Sequence, residues 1–330
     1  MGQKDITTKD YMKENTVFAD AFNKFIYKGE QVIKPENLKP LDTDITAIPY
    51  GADGAGVPTQ RYRDVLKSAT AMEDENGVYL LLGIESQVEV HHAMPVRNMV
   101  YDALQYAAQV EEAARSHREA RKAGNPKELA KKPDSGEYLS GFYRADRLIP
   151  VVTLAVYFGA GEWDGPMSLH EMLSVQNPEI LSYVSDYKLN LIAPEHMSDE
   201  EIDQFQTSLR EVMLFIKHSK DRTKLNEMVQ QDDRFKNMDR SAARVVSSVT
   251  GVEFKEDEEE EKVDMCQALK EMMEEANSEG MQAGMQKGAL EKAKETAKRM
   301  INKGRFSYEE IAELTSLTVE EVQELALGIV

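Results

Sequence analysis

At 330 residues the chain exceeds one average domain, and two domains of roughly 150 residues each are expected. With 41% hydrophobic residues it can fill a core, but no apolar run approaches the roughly 20 residues of a membrane helix, so no membrane-spanning helix is expected. A single cysteine, Cys266, excludes an intramolecular disulfide and suits a reducing cytoplasm, while a net charge of −19 repels phosphate on the scale of the whole protein.

That charge is unevenly placed. Glu256 to Glu261 is a solid acidic block, whereas Arg61, Arg63, Lys67 and Arg97 cluster in the first third of the chain. Arg118, Arg121, Lys122, Lys127 and Lys131 follow. A local basic surface and ordinary solvated charges both fit this pattern. The N-terminus, Met1-Gly2-Gln3-Lys4-Asp5, lacks the apolar core of a signal peptide, and a cytoplasmic location with no membrane partner is expected.

Lys9 to Tyr27 is predicted as a helix, with Met12, Phe18, Phe22 and Phe25 as its apolar stripe and Gly29 as its stop. Ile45 to Pro58 reads as a glycine-bearing loop, with no Gly-Lys-Ser/Thr of a phosphate loop. A strand containing Asp64 follows, then a turn at Glu73 to Gly77, then an apolar strand from Val78 to Val90. The short turn favours antiparallel pairing. An apolar strand is an expensive place for a carboxylate, yet Glu85 sits in it, and alternation puts Gln87 on the same face. Two carboxylates on neighbouring strands can hold a hard divalent cation. They can equally form a buried ion pair with one of the nearby arginines.

The run of Asp64, Glu85-Ser86-Gln87, Met94-Pro95-Val96-Arg97 and Tyr101 resembles the core of the PD-(D/E)XK nuclease superfamily. More narrowly it resembles the Rpn-type recombination-promoting nucleases, also called PD-(D/E)XK family transposases. The general superfamily carries Lys where Gln87 stands and often Pro where Arg63 stands; the narrower family carries Gln. Val17 to Asn23 and the glycine-spaced C-terminal helix share the likeness. The resemblance implies an α/β fold: a restriction-endonuclease-like core, a mixed sheet flanked by helices, followed by an all-helical C-terminal region. It implies Asp64 and Glu85 as ligands of Mg²⁺ or Mn²⁺, with the Ser86 carbonyl as a further ligand. Gln87 completes the catalytic set, and an acidic residue on the first helix, Glu14 or Asp20, can enter the site. DNA is the implied partner, with Arg63, Lys67 and Arg97 as candidates for holding phosphates.

Pro95 opens a long helix that runs to about Lys122, with Val100, Leu104 and Ala107 inward, and Gly124-Asn125-Pro126 ends it. Lys127 to Gly141 is polar. Ile149 to Gly159 reads as a buried strand, and Asp199 to Lys217 as an amphipathic helix. The expected organisation is a core over residues 1–192, a helical extension over 193–251, an acidic linker over 252–262 crossed by few contacts, and a helical module over 263–330. In that module Gly280, Gly284 and Gly288 share one side of a helix, a pattern that fits close helix approach and a homo-oligomer and equally fits a flexible, frayed helix. Ser307 and Thr318 cap a terminal helical hairpin, whose second helix carries Glu320, Glu321 and Glu324 and little that would read a base.

Other chemistries find no support. Cys266 has no histidine partner, no Gly-x-Ser-x-Gly elbow occurs, and zinc spacing is absent. The expectation is metal-assisted phosphodiester hydrolysis by a DNA endonuclease of the recombination-promoting or transposase type. The alternative is a catalytically weak or inactive nuclease-fold interaction protein that self-associates through its C-terminal helices.

Overall fold

In the computed structural model the described residues are 3–41, 44–47, 59–62, 64–71, 78–124, 127, 133–252, 254 and 261–327. Strands β1 (Lys39–Pro40), β4 (Val65–Ala71), β5 (Val78–Gln87), β6 (Val151–Tyr157) and β7 (Asn190–Ile192) form one mixed sheet in the order β1-β4-β5-β6-β7. β4 pairs antiparallel with both β1 and β5, whereas β6 pairs parallel with β5 and β7. Leu82, Ile84, Leu154, Ala155 and Val156 are fully buried, so the central strands are apolar for the reason that central strands usually are. A parallel β5–β6 pair needs a crossover, and helix α3 (Met94–Lys122) supplies it. Leu104 is buried against Val100 and Ala107, as the helical period requires.

The first helical stretch is two helices, α1 (Gln3–Met12) and α2 (Asn15–Tyr27), where the sequence predicts one. Glu14 between them has ψ 127°, which is extended. The break frees the Lys13 carbonyl, and buried Lys67 takes it up with a 2.5 Å hydrogen bond. The stop expected at Gly29 is present: α2 ends at Tyr27, Gly29 has φ 96°, and its N–H bonds to the Asn23 carbonyl.

The loop expected over 45–58 begins instead as a strand. β2 (Asp44–Ala47) pairs antiparallel with β3 (Thr59–Tyr62), and residues 48–58 lie outside the described residues. Lys127 to Gly141 contains the short helix α4 (Ser135–Ser140), opened by a capping box between Asp134 and Glu137. After α5 (Pro178–Leu181), the single helix expected over Asp199 to Lys217 divides into α6 (Asp199–Ile202) and α7 (Leu209–His218). The cause lies in α2. The Asp20 carboxylate accepts the backbone N–H groups of Gln206 and Thr207, which a continuous helix would have kept for itself.

Helices α8 (Arg222–Gln231) and α9 (Arg240–Thr250) follow, with Ala242, Ala243, Val245 and Val246 of α9 buried. β8 (Met238–Asp239) then pairs with β9 (Lys262–Val263). Contacts therefore do span the acidic stretch, of which residues 255–260 are outside the described set. The Arg240 N–H donates to the Glu261 carbonyl and Met265 is fully buried. The chain divides into two compact units, Met1–Cys266 and Gln267–Val330.

The second unit is helical. It holds most of α10 (Met265–Lys303), with α11 (Tyr308–Thr315) and α12 (Val319–Leu327). Ala297, Ile311, Ala312, Leu317 and Val322 form its small core. The caps expected of Ser307 and Thr318 are both present as reciprocal boxes with Glu310 and Glu321. A methyl group built on Gly280, Gly284 or Gly288 would meet nothing within 4 Å. Among the described residues no helix is long and apolar enough to cross a membrane.

Candidate active site

Register builds the site. In the β4–β5 ladder Val65 faces Ile84, and continuing one residue sets Asp64 opposite Glu85. Residues directly opposite in an antiparallel pair project to one face, so the two carboxylates converge. The Ser86 N–H donates to Asp64 Oδ2 at 3.0 Å, and the Asp64 N–H reaches Glu85 Oε1 at 3.4 Å. Each carboxylate is thus held by the backbone beside the other. Glu85 is 0% exposed and Asp64 is buried.

An unpaired carboxylate in that place would be costly, and each one has a cation. Arg97, in the first turn of α3, brings Nη2 to 2.9 Å from Glu85 Oε2. The ion pair that the sequence left open for Glu85 is therefore present. Arg97 Nε donates to the Tyr101 hydroxyl at 3.1 Å, four residues on along the same helical face. Burial is the largest influence and opposes the Arg97 charge, but Glu85, Tyr101 and Asp64 together outweigh it and hold the guanidinium pKa above its ordinary value. Burial pushes the Tyr101 phenol up, and Glu85 adds to the effect. The second cation is Lys9 of α1, whose Nζ stands 3.7 Å from Asp64 Oδ1. Sequence reasoning missed Lys9, because nothing local ties it to a strand that begins after two helices and a hairpin.

Gln87 lies on the Glu85 face, but its side-chain amide donates to the Ser86 carbonyl at 2.9 Å. That carbonyl has two lone pairs and retains one for a further partner. Asp64, Glu85, Ser86, Gln87 and Arg97 are therefore brought together.

Three other candidates are placed elsewhere, and one lies outside the described residues. Lys67, expected as a phosphate contact, is 3% exposed. It donates to the Lys13 carbonyl and, at 2.7 Å, to Asn15 Oδ1, with its ammonium 4.5 Å from the Phe18 ring centre. Desolvation lowers its pKa to about 8. Asp20, expected as an accessory acid, spends its carboxylate on Gln206 and on the N–H and hydroxyl of Thr207. Glu14 is exposed at the start of α2. Arg63 lies outside the described residues.

The donor set suits a hard divalent ion. It offers two carboxylates and a carbonyl, all oxygen, and Mg²⁺ commonly binds one or two carboxylates and keeps several waters. Among the described residues no group of three or more His, Cys, Asp or Glu is placed to hold a metal, so an ion here would rest on two carboxylates and a carbonyl.

A mixed sheet flanked by helices, with a helical C-terminal region, is the restriction-endonuclease-like class of architecture. The family model described as "Putative transposase, YhgA-like", a PD-(D/E)XK-type family, matches residues 137–244. That match bears out the resemblance read from the sequence. It starts C-terminal to Asp64, Glu85 and Arg97, and takes in β6, β7 and the helices as far as the start of α9. No curated protein and no solved structure matches the chain.

Proposed function

We propose that the chain is a metal-dependent DNA endonuclease of the transposase or recombination-promoting type. The observation that carries this reading is the convergence of Asp64 and Glu85 at the end of the β4–β5 ladder, with the Ser86 N–H donating to Asp64 and the Asp64 N–H to Glu85. Asp64 and Glu85 would hold Mg²⁺ or Mn²⁺, with the Ser86 carbonyl as a further oxygen. The ion, when bound, polarises the scissile phosphate and lowers the pKa of a bound water. The chain's own residues do the rest. The Ser86 N–H keeps Asp64 Oδ2 in place, and the Gln87 amide steadies the Ser86 carbonyl. Arg97 offers its guanidinium to phosphate oxygens, a shape for which its planar fork is suited.

The test is a supercoiled plasmid incubated with the purified chain. Nicking or cutting is expected with Mg²⁺ or Mn²⁺ and should stop in EDTA. Asp64→Ala and Glu85→Ala should each abolish it; undiminished cutting by both variants rejects the site. One observation favours a second reading, that of an inactive nuclease-fold interaction protein: both carboxylates already have cationic partners in Lys9 and Arg97. Calorimetry separates the two, since a scaffold stabilised by those ion pairs would take up no Mn²⁺ and cut nothing.

A further inference from the structure

Cleavage of a phosphodiester places negative charge on the oxygens around phosphorus, and a fixed cation beside the ion normally meets it. In this chain the residue at the usual place of that cation is Gln87, which is uncharged and is bonded to the Ser86 carbonyl. Lys67, the lysine nearest in sequence to Asp64, points away into the contact with α2. Among the described residues the lysine beside Asp64 comes instead from α1.

Lys9 supplies one. Its Nζ is 3.7 Å from Asp64 Oδ1, and its side chain is 25% exposed, so it borders both the carboxylate and solvent. Its backbone is fixed, because Thr8, Tyr11 and Met12 on either side of it are buried. The ion pair itself is loose. A separation of 3.7 Å is longer than a good N–H···O hydrogen bond of about 2.7–3.2 Å, which leaves the ammonium's three donors available to another oxygen.

We propose that Lys9 is the phosphate-facing lysine of this site, supplied from α1 where β5 carries Gln87; the proposal rests on the nuclease reading above. Charge accounting supports it. Asp64 and Glu85 are balanced by Lys9 and Arg97, so the four side chains sum to zero. A divalent ion held by the carboxylates takes over their neutralisation and leaves both cations for an anionic backbone. Lys9 is thus a counter-ion before the ion binds and a phosphate contact afterwards.

The test uses the full chain and three variants: Lys9→Met, Lys9→Arg and the double variant Lys9→Met with Gln87→Lys. Folding is checked by the emission of Trp163, the only tryptophan, which is buried; Lys9→Gln replaces Lys9→Met if that variant fails to fold. Lys9→Met should bind Mn²⁺ in calorimetry at least as tightly as wild type, because a competing cation is gone. Its plasmid cleavage should fall by about 100-fold, the loss typical of removing one preorganised charge donor. Its affinity for a short duplex in Ca²⁺ should fall, with a salt slope smaller by about one. Lys9→Arg should retain part of the activity, and Gln87→Lys should restore a measurable share to Lys9→Met. Wild-type cleavage and an unchanged salt slope in Lys9→Met would overturn the assignment while leaving the nuclease intact. A wild-type chain that neither binds Mn²⁺ nor cuts would overturn both.

Discussion

Lys67 should make the stability of the first unit rise between about pH 8 and pH 10.5. Its ammonium is 3% exposed and faces two neutral acceptors, the Lys13 carbonyl and Asn15 Oδ1, with no carboxylate among the partners of those bonds. Desolvation lowers its pKa from 10.5 to about 8. A lowered lysine pKa means that the unfolded chain binds more protons than the folded one across that interval, so stability climbs as pH rises through it. Below pH 8 the full penalty is present. At about 1.4 kcal/mol per pKa unit, the shift corresponds to roughly 3 kcal/mol. Lys67→Met removes the titration. It also removes the donor of the Lys13 carbonyl and Asn15 Oδ1, so its absolute effect at neutral pH has two opposing parts. The pH dependence has only one. Urea unfolding followed by Trp163 emission at pH 7.5, 8.5, 9.5 and 10.5 reads it directly. The difference between wild type and Lys67→Met should move in favour of wild type by roughly 3 kcal/mol over the series, with all other titrating groups common to both. A difference that stays flat with pH would refute the buried, desolvated lysine.

Two further outcomes follow from contacts between distant parts of the first unit. Asp20→Asn leaves one side-chain oxygen to serve three donors of Gln206 and Thr207, and should cost about 1–3 kcal/mol in urea unfolding while leaving cleavage intact; lost cleavage in a fully folded variant would instead make Asp20 an acid of the site. Ending the chain at Phe254 removes β9, the Glu261 carbonyl bonded to Arg240 and the buried Met265, so that fragment should be less stable than one ending at Cys266 by roughly 3 kcal/mol, most of it from the methionine and two or three hydrogen bonds. Equal stability of the two fragments would show that the pairing with β8 carries no energy. Light scattering on the same fragment and the full chain tests self-association through residues 267–330, whose Met281 and Met285 are 66% and 64% exposed; an unchanged mass order after truncation rejects it.

How much of this could be read from the chain depends on the distance between partners. Asp64 and Glu85 were legible because a short turn joins their strands, and alternation does the rest over a few residues. The long α3, the buried β6 and the two capped helices of the terminal hairpin were legible for the same reason, each being fixed by its own residues. The breaks within the helical stretches were not. The gap between α1 and α2 is taken up by Lys67, 54 residues away, and the gap between α6 and α7 by Asp20, 186 residues away. Apolar periodicity runs through both gaps, so it carries no sign of either.

The cations of the site show the same limit, with one exception that the sequence did contain. Lys67 follows Asp64 by three residues, and strand side chains alternate, so an odd separation sends the two to opposite faces. A basic residue near an acidic one in sequence is therefore a poor candidate for its partner when the interval is odd. Arg97 stands at the opposite extreme. The crossover that a parallel β5–β6 pair demands begins just after β5, so the first turn of its helix has to pass close to the end of that strand. Glu85 and Arg97 are thereby brought within 2.9 Å by topology. Lys9 has neither signal: its approach to Asp64 depends on where α1 packs, and only the assembled unit reveals a lysine beside the strand pair that carries Asp64 and Gln87.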